Sequence, residues 1–80
     1  MNQAQIVSIV NVVLVKRGKN PISEDLSLSL RAHGFRSMDF SEVALRVENA
    51  TGNELIFDAT VLRSIETFQD LVDFFAQATK

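Results

Sequence analysis

Ser37 is the residue of this chain best placed to do chemistry. It follows Gly34-Phe35-Arg36 and precedes Met38-Asp39-Phe40-Ser41-Glu42-Val43, where apolar residues begin to recur at helical spacing. A serine at such a loop-to-helix junction is exposed, with its hydroxyl turned away from the helix body. The free N–H groups and the dipole of a helix N-terminus favour anions, so a phosphodiester on that hydroxyl would be well placed. The competing reading of Ser37 is a plain N-cap. Arg36 offers a guanidinium that matches phosphate oxygens, or else it is a solvated charge. Asp39 and Glu42 stand where the positive end of a helix favours acids. His33, the single histidine, is near enough to Ser37 and Asp39 in sequence to suggest a hydrolase triad. A triad also needs an oxyanion hole and a substrate pocket, for which eighty residues leave little room. The expectation is therefore that the protein is not an enzyme. No cluster of His, Asp and Glu has metal-ligand spacing, so no metal site is expected.

Four helices are expected to position these residues. Ile6, Ile9, Val10 and Val13 fall on one helical face, with Val12, Leu14 and Val15 broadening it. The many β-branched residues make a strand the competing reading there. Lys16 and Arg17 suit a helix C-terminus, and Gly18 can cap it. A long connection follows, from about residue 17 to 36. Within it Leu26, Leu28 and Leu30 alternate with serines in strand fashion, or Ser23-Glu24-Asp25 caps a short helical turn. Its leucines and Phe35 are expected to pin it to the core. A second helix runs over residues 37–50, with Ser37 as its cap, Phe40, Val43, Ala44 and Val47 on its inner face, and Gly52-Asn53 as its end. Residues 54–57 read as extended, and Asp58 caps a short helix reaching about residue 63. Thr67, with Asp70 three positions on, opens the last helix, whose face is Phe68, Leu71, Val72 and Phe75.

Composition bounds the remaining possibilities. Eighty residues, 46% of them apolar, make one domain over residues 1–80. The absence of cysteine excludes thiolate catalysis and thiolate metal sites, and favours a reducing compartment. Residues 1–5 lack a basic signal-peptide region, and the apolar stretch 6–15 is too short to span a bilayer. A cytoplasmic monomer without membrane partners is expected. Ten acidic and eight basic residues, mixed along the chain to a net charge of −2, argue against a nucleic-acid partner.

The segment around Ser37 resembles the acyl carrier protein family. In that family a phosphopantetheine-bearing serine stands in an Asp-Ser-Leu motif at the start of the second helix. The matching residues here are Arg36-Ser37-Met38, and Asp39, Glu42 and Val43 fit the family's continuation Asp…Glu-Leu/Val. Ala44-Leu45-Arg46 and Ala50-Thr51-Gly52 look like the polyketide-synthase branch. The closing run from Ile65 to Phe75 is similar to the family's Thr-Val-x-Asp-x-Val-x-Tyr/Phe-Ile pattern. The resemblance covers residues 5 to 77, the first 30 in hydrophobic pattern only.

That resemblance implies an all-α, four-helix bundle of three longer helices and one short, with a long loop between the first two. It implies phosphopantetheine attached to Ser37, carrying an acyl chain as a thioester in polyketide- or fatty-acid-like biosynthesis. It implies loading by a phosphopantetheinyl transferase, with magnesium held between transferase, coenzyme A and often the carrier's own Asp. Acyl-processing partners, a synthase or a transferase, would dock on the second helix, with Met38, Asp39, Glu42 and Val43 as contacts. On the plainer reading Met38 and Val43 are core, and the two acids only complement the dipole. Arg36 departs from the pattern by replacing the Asp before the serine with the opposite charge. Two alternatives stay open: a peptidyl carrier, which Ala44-Leu45-Arg46 disfavours, and a carrier-like interaction module that is not modified, which Arg36 favours.

Overall fold

Each helix begins and ends where its local chemistry satisfies the free backbone groups. A computed structural model of the chain describes residues 1–23 and 25–80. The first helix, α1, spans Gln3–Lys16. Asn2 caps it: its Oδ1 accepts from Gln5 N at 2.9 Å, and Gln5 Oε1 accepts from Asn2 N at 2.9 Å. Ile6, Val10, Val13 and Leu14 are fully buried, so tertiary burial overrides the low helix propensity of this β-branched run. The expected face is narrower than its apolar content, because Val12 and Val15 point outward and are about half exposed.

The end of α1 is a Schellman closure. Gly18 N donates to Val15 O at 3.0 Å and Lys19 N donates to Leu14 O at 2.8 Å. Gly18 has φ +73°, in the left-handed region that a side chain disfavours. The chain therefore doubles back sharply, and this turn aims Arg17 and Lys19 at the second helix.

The described residues of the connection, 17–23 and 25–36, form no helix or strand and are held in three ways. Asn11 imitates a strand neighbour, donating from Nδ2 to Ile22 O and accepting at Oδ1 from Ile22 N, both at 2.8 Å. Ile22, Leu26, Leu30 and Phe35 are buried, as expected of a pinned loop, whereas Leu28 is 38% exposed. The loop also lies along the start of the last helix, where Leu30 N donates to Glu66 O and Phe68 N to Leu28 O. The alternating leucines yield one isolated antiparallel bridge, between Ser29 and Thr67, within a run of turns. Glu24 lies outside the described residues. Of the expected Ser23-Glu24-Asp25 cap, Asp25 Oδ1 does close a turn by accepting from Ser27 N at 3.1 Å.

The second helix, α2, spans Ser37–Thr51, and Gly52 stops it at φ +74°. Leu55 and Phe57 are then half-buried while Ile56 is 90% exposed, the alternation of an extended segment. The short α3, Ala59–Ser64, is capped by Asp58, whose Oδ1 accepts from Val61 N at 3.0 Å. The last helix, α4, is Phe68–Ala78. Thr67 Oγ1 accepts from Asp70 N, and Asp70 Oδ2 accepts from Thr67 N, each at 3.1 Å.

The molecule is an all-helical bundle of these four helices, with no strand among the described residues. Helix α1 packs against both α2 and α4. Phe68 and Phe75 are fully buried and Phe40 nearly so; Phe40 stacks on Phe75 at 5.4 Å and meets Phe57 edge-on at 5.1 Å. Helix α3 buries no residue completely and covers the bundle with half-buried Val61 and Leu62. No helix among the described residues is long and apolar enough to cross a membrane.

Candidate functional site

The site is built around the first turn of α2, one residue away from the register that the sequence suggested. Arg36, not Ser37, is the N-cap residue, with extended backbone at φ −112° and ψ 175°. Arginine has no acceptor to cap with. The cap works from the other side: Asp39 Oδ2 accepts from Arg36 N at 2.8 Å, which is half of a capping box. Ser37 is thereby released from capping. It occupies the first helical position and is exposed, and its hydroxyl makes no hydrogen bond among the described residues. The backbone N–H groups of Ser37, Met38 and Asp39 find no backbone acceptor among the described residues, as is general for the first turn of a helix.

Asp39 explains the shift of register. It is 1% exposed, the one buried charged residue among those described. Lys19 Nζ lies 2.6 Å from its Oδ2, and Arg17 Nε lies 2.9 Å from its Oδ1. The Arg17 contact is an ion pair whose direction leaves Oδ1 without a hydrogen bond. Burial alone would raise this carboxyl's pKa. The Lys19 hydrogen bond, the Arg36 N–H and the charges of Lys19 and Arg17 outweigh it and hold the pKa below the ordinary Asp value. Lys19 Nζ also donates to Gly34 O, tying the residue two before the cap to the same carboxylate. The turn at Gly18 and the start of α2 are thus locked by one buried acid.

Glu42 is engaged in the same way, one turn further on. Lys16, Arg17 and Arg46 approach its carboxylate at 3.3, 3.2 and 3.3 Å. Partial burial raises its pKa, but the hydrogen bonds from these three cations bring it below the ordinary Glu value.

The residues expected to meet partners therefore separate. Met38 is 70% exposed beside Ser37, and Glu42 reaches the surface while spending its charge on three internal partners. Asp39 is turned inward to the cations of the α1 turn, and Val43 is fully buried on the inner face of α2, the plainer of its two readings. His33 is drawn away from any triad: its Nε2 lies 2.7 Å from Asn20 O, and its ring meets Phe68 edge-on at 5.4 Å.

Ser37 and Arg36 lie on the wall of an open cleft of about 510 Å³. Leu30, Phe35, Phe40, Leu62 and Ile65 supply its apolar lining. Arg31 and Arg63 join Arg36 on its polar lining, with Glu66 as the acid among them. Residues from the long connection, α2 and α3 thus meet around one hydroxyl. Comparison with family models, curated proteins and solved structures gives no match to this chain. Among the described residues no group of three or more His, Asp and Glu could hold a metal ion.

The sequence singled out Ser37 and Arg36 as candidates but not Lys19, Arg31 or Arg63, which the fold brings to the start of α2 and its cleft. For Lys19 a signal was present: a glycine closing a helix is followed at once by a cation, and the first acid of the next helix is two residues past Ser37. Arg31 and Arg63 carry no local signal, since they join Arg36 only through the folding of the long connection and α3 over one cleft.

Proposed function

We propose that this chain is a carrier protein whose Ser37 hydroxyl is the attachment point of phosphopantetheine. The observation that carries the reading is the position of Ser37: first residue of α2, exposed, free of capping, and on the wall of a partly apolar cleft. The residues present fit such a group. Its phosphodiester would lie against the N–H groups of the first turn of α2 and the guanidinium of Arg36. The arm would supply a terminal thiol on which acyl groups are held as thioesters. This chain's own part is to present the hydroxyl to a phosphopantetheinyl transferase, and afterwards to acyl-processing enzymes, from a rigid helix start. That rigidity comes from Asp39, which fixes the entry to α2 through Arg36 N, Lys19 and Arg17.

Polyketide- or fatty-acid-like chains are the cargo favoured by the Ala44-Leu45-Arg46 run, ahead of a peptidyl cargo. One observation favours a second reading, an interaction module that is not modified. Arg36 stands where magnesium-assisted loading by transferases of this class uses an acid.

Incubation with coenzyme A, magnesium and a broad-specificity phosphopantetheinyl transferase, followed by intact-mass measurement, is the test. One phosphopantetheine is expected on the wild type and none on Ser37→Ala. Because Ser37 makes no cap bond, Ser37→Ala should change stability by less than about 0.5 kcal/mol, the usual range of a surface substitution. A wild type left unmodified by several transferases, or an alanine variant still modified, contradicts the carrier reading.

A further inference from the structure

The cations of this chain are divided into two populations. Lys16, Arg17, Lys19 and Arg46 are ion-paired to Asp39 or Glu42. The two acids in the N-terminal half of α2 are thereby neutralised from within the chain, and that half of the helix presents little negative charge. Arg31, Arg36 and Arg63 are exposed, make no ion pair among the described residues, and line the same cleft as Ser37. Glu66 is the one acid on that lining, so the cleft mouth is net cationic in a chain of net charge −2. The positive end of α2 adds to it. The apolar lining gives this charged mouth a hydrophobic floor, and exposed Met38, next to Ser37 in the chain, adds apolar surface outside it.

We infer that the face around Ser37 is a docking surface for an acidic protein patch, carboxylates on the three arginines and an apolar side chain over Met38 and the cleft. The inference deepens the carrier reading by naming the chemistry of its partner, and rests on that reading for the partner's identity as transferase or acyl-processing enzyme. Arginine pairs with carboxylate through two parallel hydrogen bonds and is enriched at interface hot spots. A nucleic acid would need a longer basic track than three residues, and the negative charge of the whole molecule opposes it. An anionic membrane is bound by larger cationic clusters, of about four to eight residues.

The probe is a Glu-rich peptide carrying leucines, titrated into the full unloaded chain while backbone amide shifts are followed by NMR. Shifts are expected to cluster at Arg31, at Arg36 to Met38 and at Arg63. Arg31→Gln and Arg63→Gln should each weaken binding roughly three- to tenfold, and Lys80→Gln should leave it unchanged. Both arginines are exposed, so the helical spectrum should be retained. As a reading independent of any variant, wild-type binding should weaken as salt is raised to about 0.15 M. Shifts centred on Lys16 and Lys80, an affinity indifferent to both arginines or to salt, or tighter binding to duplex DNA or phosphatidylserine vesicles would each overturn the inference. The titration uses no transferase, so its failure is distinct from a failure of Ser37 to be loaded.

Discussion

At the scale of single residues, Asp39 holds the start of α2 more firmly than a cap alone would. A buried carboxylate is costly unless paired, and this one is held by two cations and a backbone N–H. Because its pKa in the folded chain is lower than in the unfolded chain, it binds fewer protons when folded. Its contribution to stability is therefore fully present above the unfolded pKa, about 4, and is lost as pH falls through the lower folded value. Asp39→Asn keeps the shape, removes the charge and leaves Lys19 and Arg17 facing each other. A loss of about 1–3 kcal/mol at neutral pH is expected, less than for a fully buried pair because both cations are partly exposed. The gap in melting temperature between wild type and variant should shrink as pH drops below about 4. Asp25, Glu42 and Asp70 also have lowered pKa values, so the comparison lies in that gap and not in the wild-type slope. A gap of constant size from neutral to acid pH would mean that the charge of Asp39 does not hold the turn.

At the scale of elements, the turn after α1 and the short α3 behave differently. Gly18 has nothing within 4 Å of where a Cβ would stand, so space is not the obstacle to substitution. Its φ of +73° is. Gly18→Val should cost upwards of about 1 kcal/mol, the penalty of a left-handed backbone for a side-chain-bearing residue. It should also loosen the ion pairs of Arg17 and Lys19 with Asp39, so Gly18→Val combined with Asp39→Asn should cost less than the sum of the two. Strict additivity in chemical denaturation would separate the turn from the buried acid. Helix α3 buries no residue fully, and its amides should exchange with solvent faster than those of α1, α2 and α4. Equal protection across all four helices would place α3 within the global unfolding unit. The elements themselves were largely legible in the sequence. Thr67 with Asp70, Asp58, and the stops at Gly18 and Gly52 all act through contacts within a few residues, which pattern can reach. The N-cap of α2 was not legible, because serine is the better cap by local preference, whereas Arg36 is held there by the Asp39 carboxylate, which Lys19 and Arg17 fix from some twenty residues away. The alternating leucines misled for a related reason: Leu26 and Leu30 are chosen by the core and by Phe68, not by a neighbouring strand.

At the scale of the whole molecule, one residue joins the long connection to the bundle core. Phe68 is fully buried at the first position of α4, 5.6 Å from Phe35 and 5.4 Å from His33 between ring centroids. Its backbone N–H also donates to Leu28 O. The connection between α1 and α2 is thus laid onto α4 through Phe68, and that connection supplies Leu30, Arg31 and Phe35 to the cleft beside Ser37. Phe68→Ala would leave a cavity that the surrounding helices fill only in part, at about 3–5 kcal/mol. A chain of 80 residues has a total stability on the order of 4–12 kcal/mol. The variant should therefore melt roughly 12–40 °C below the wild type by circular dichroism, at about 4–8 °C per kcal/mol for a domain of this size. A melting temperature that does not move would mean that Phe68 is not a core anchor. If the variant retains its helices at low temperature, the loss should appear first in the connection, as faster amide exchange at Leu30 and Phe35 than at Val10 or Val47. Ser37 would then remain at the head of α2 while the cleft beside it lost one wall, because α2 is fixed by Asp39 and the connection by Phe68.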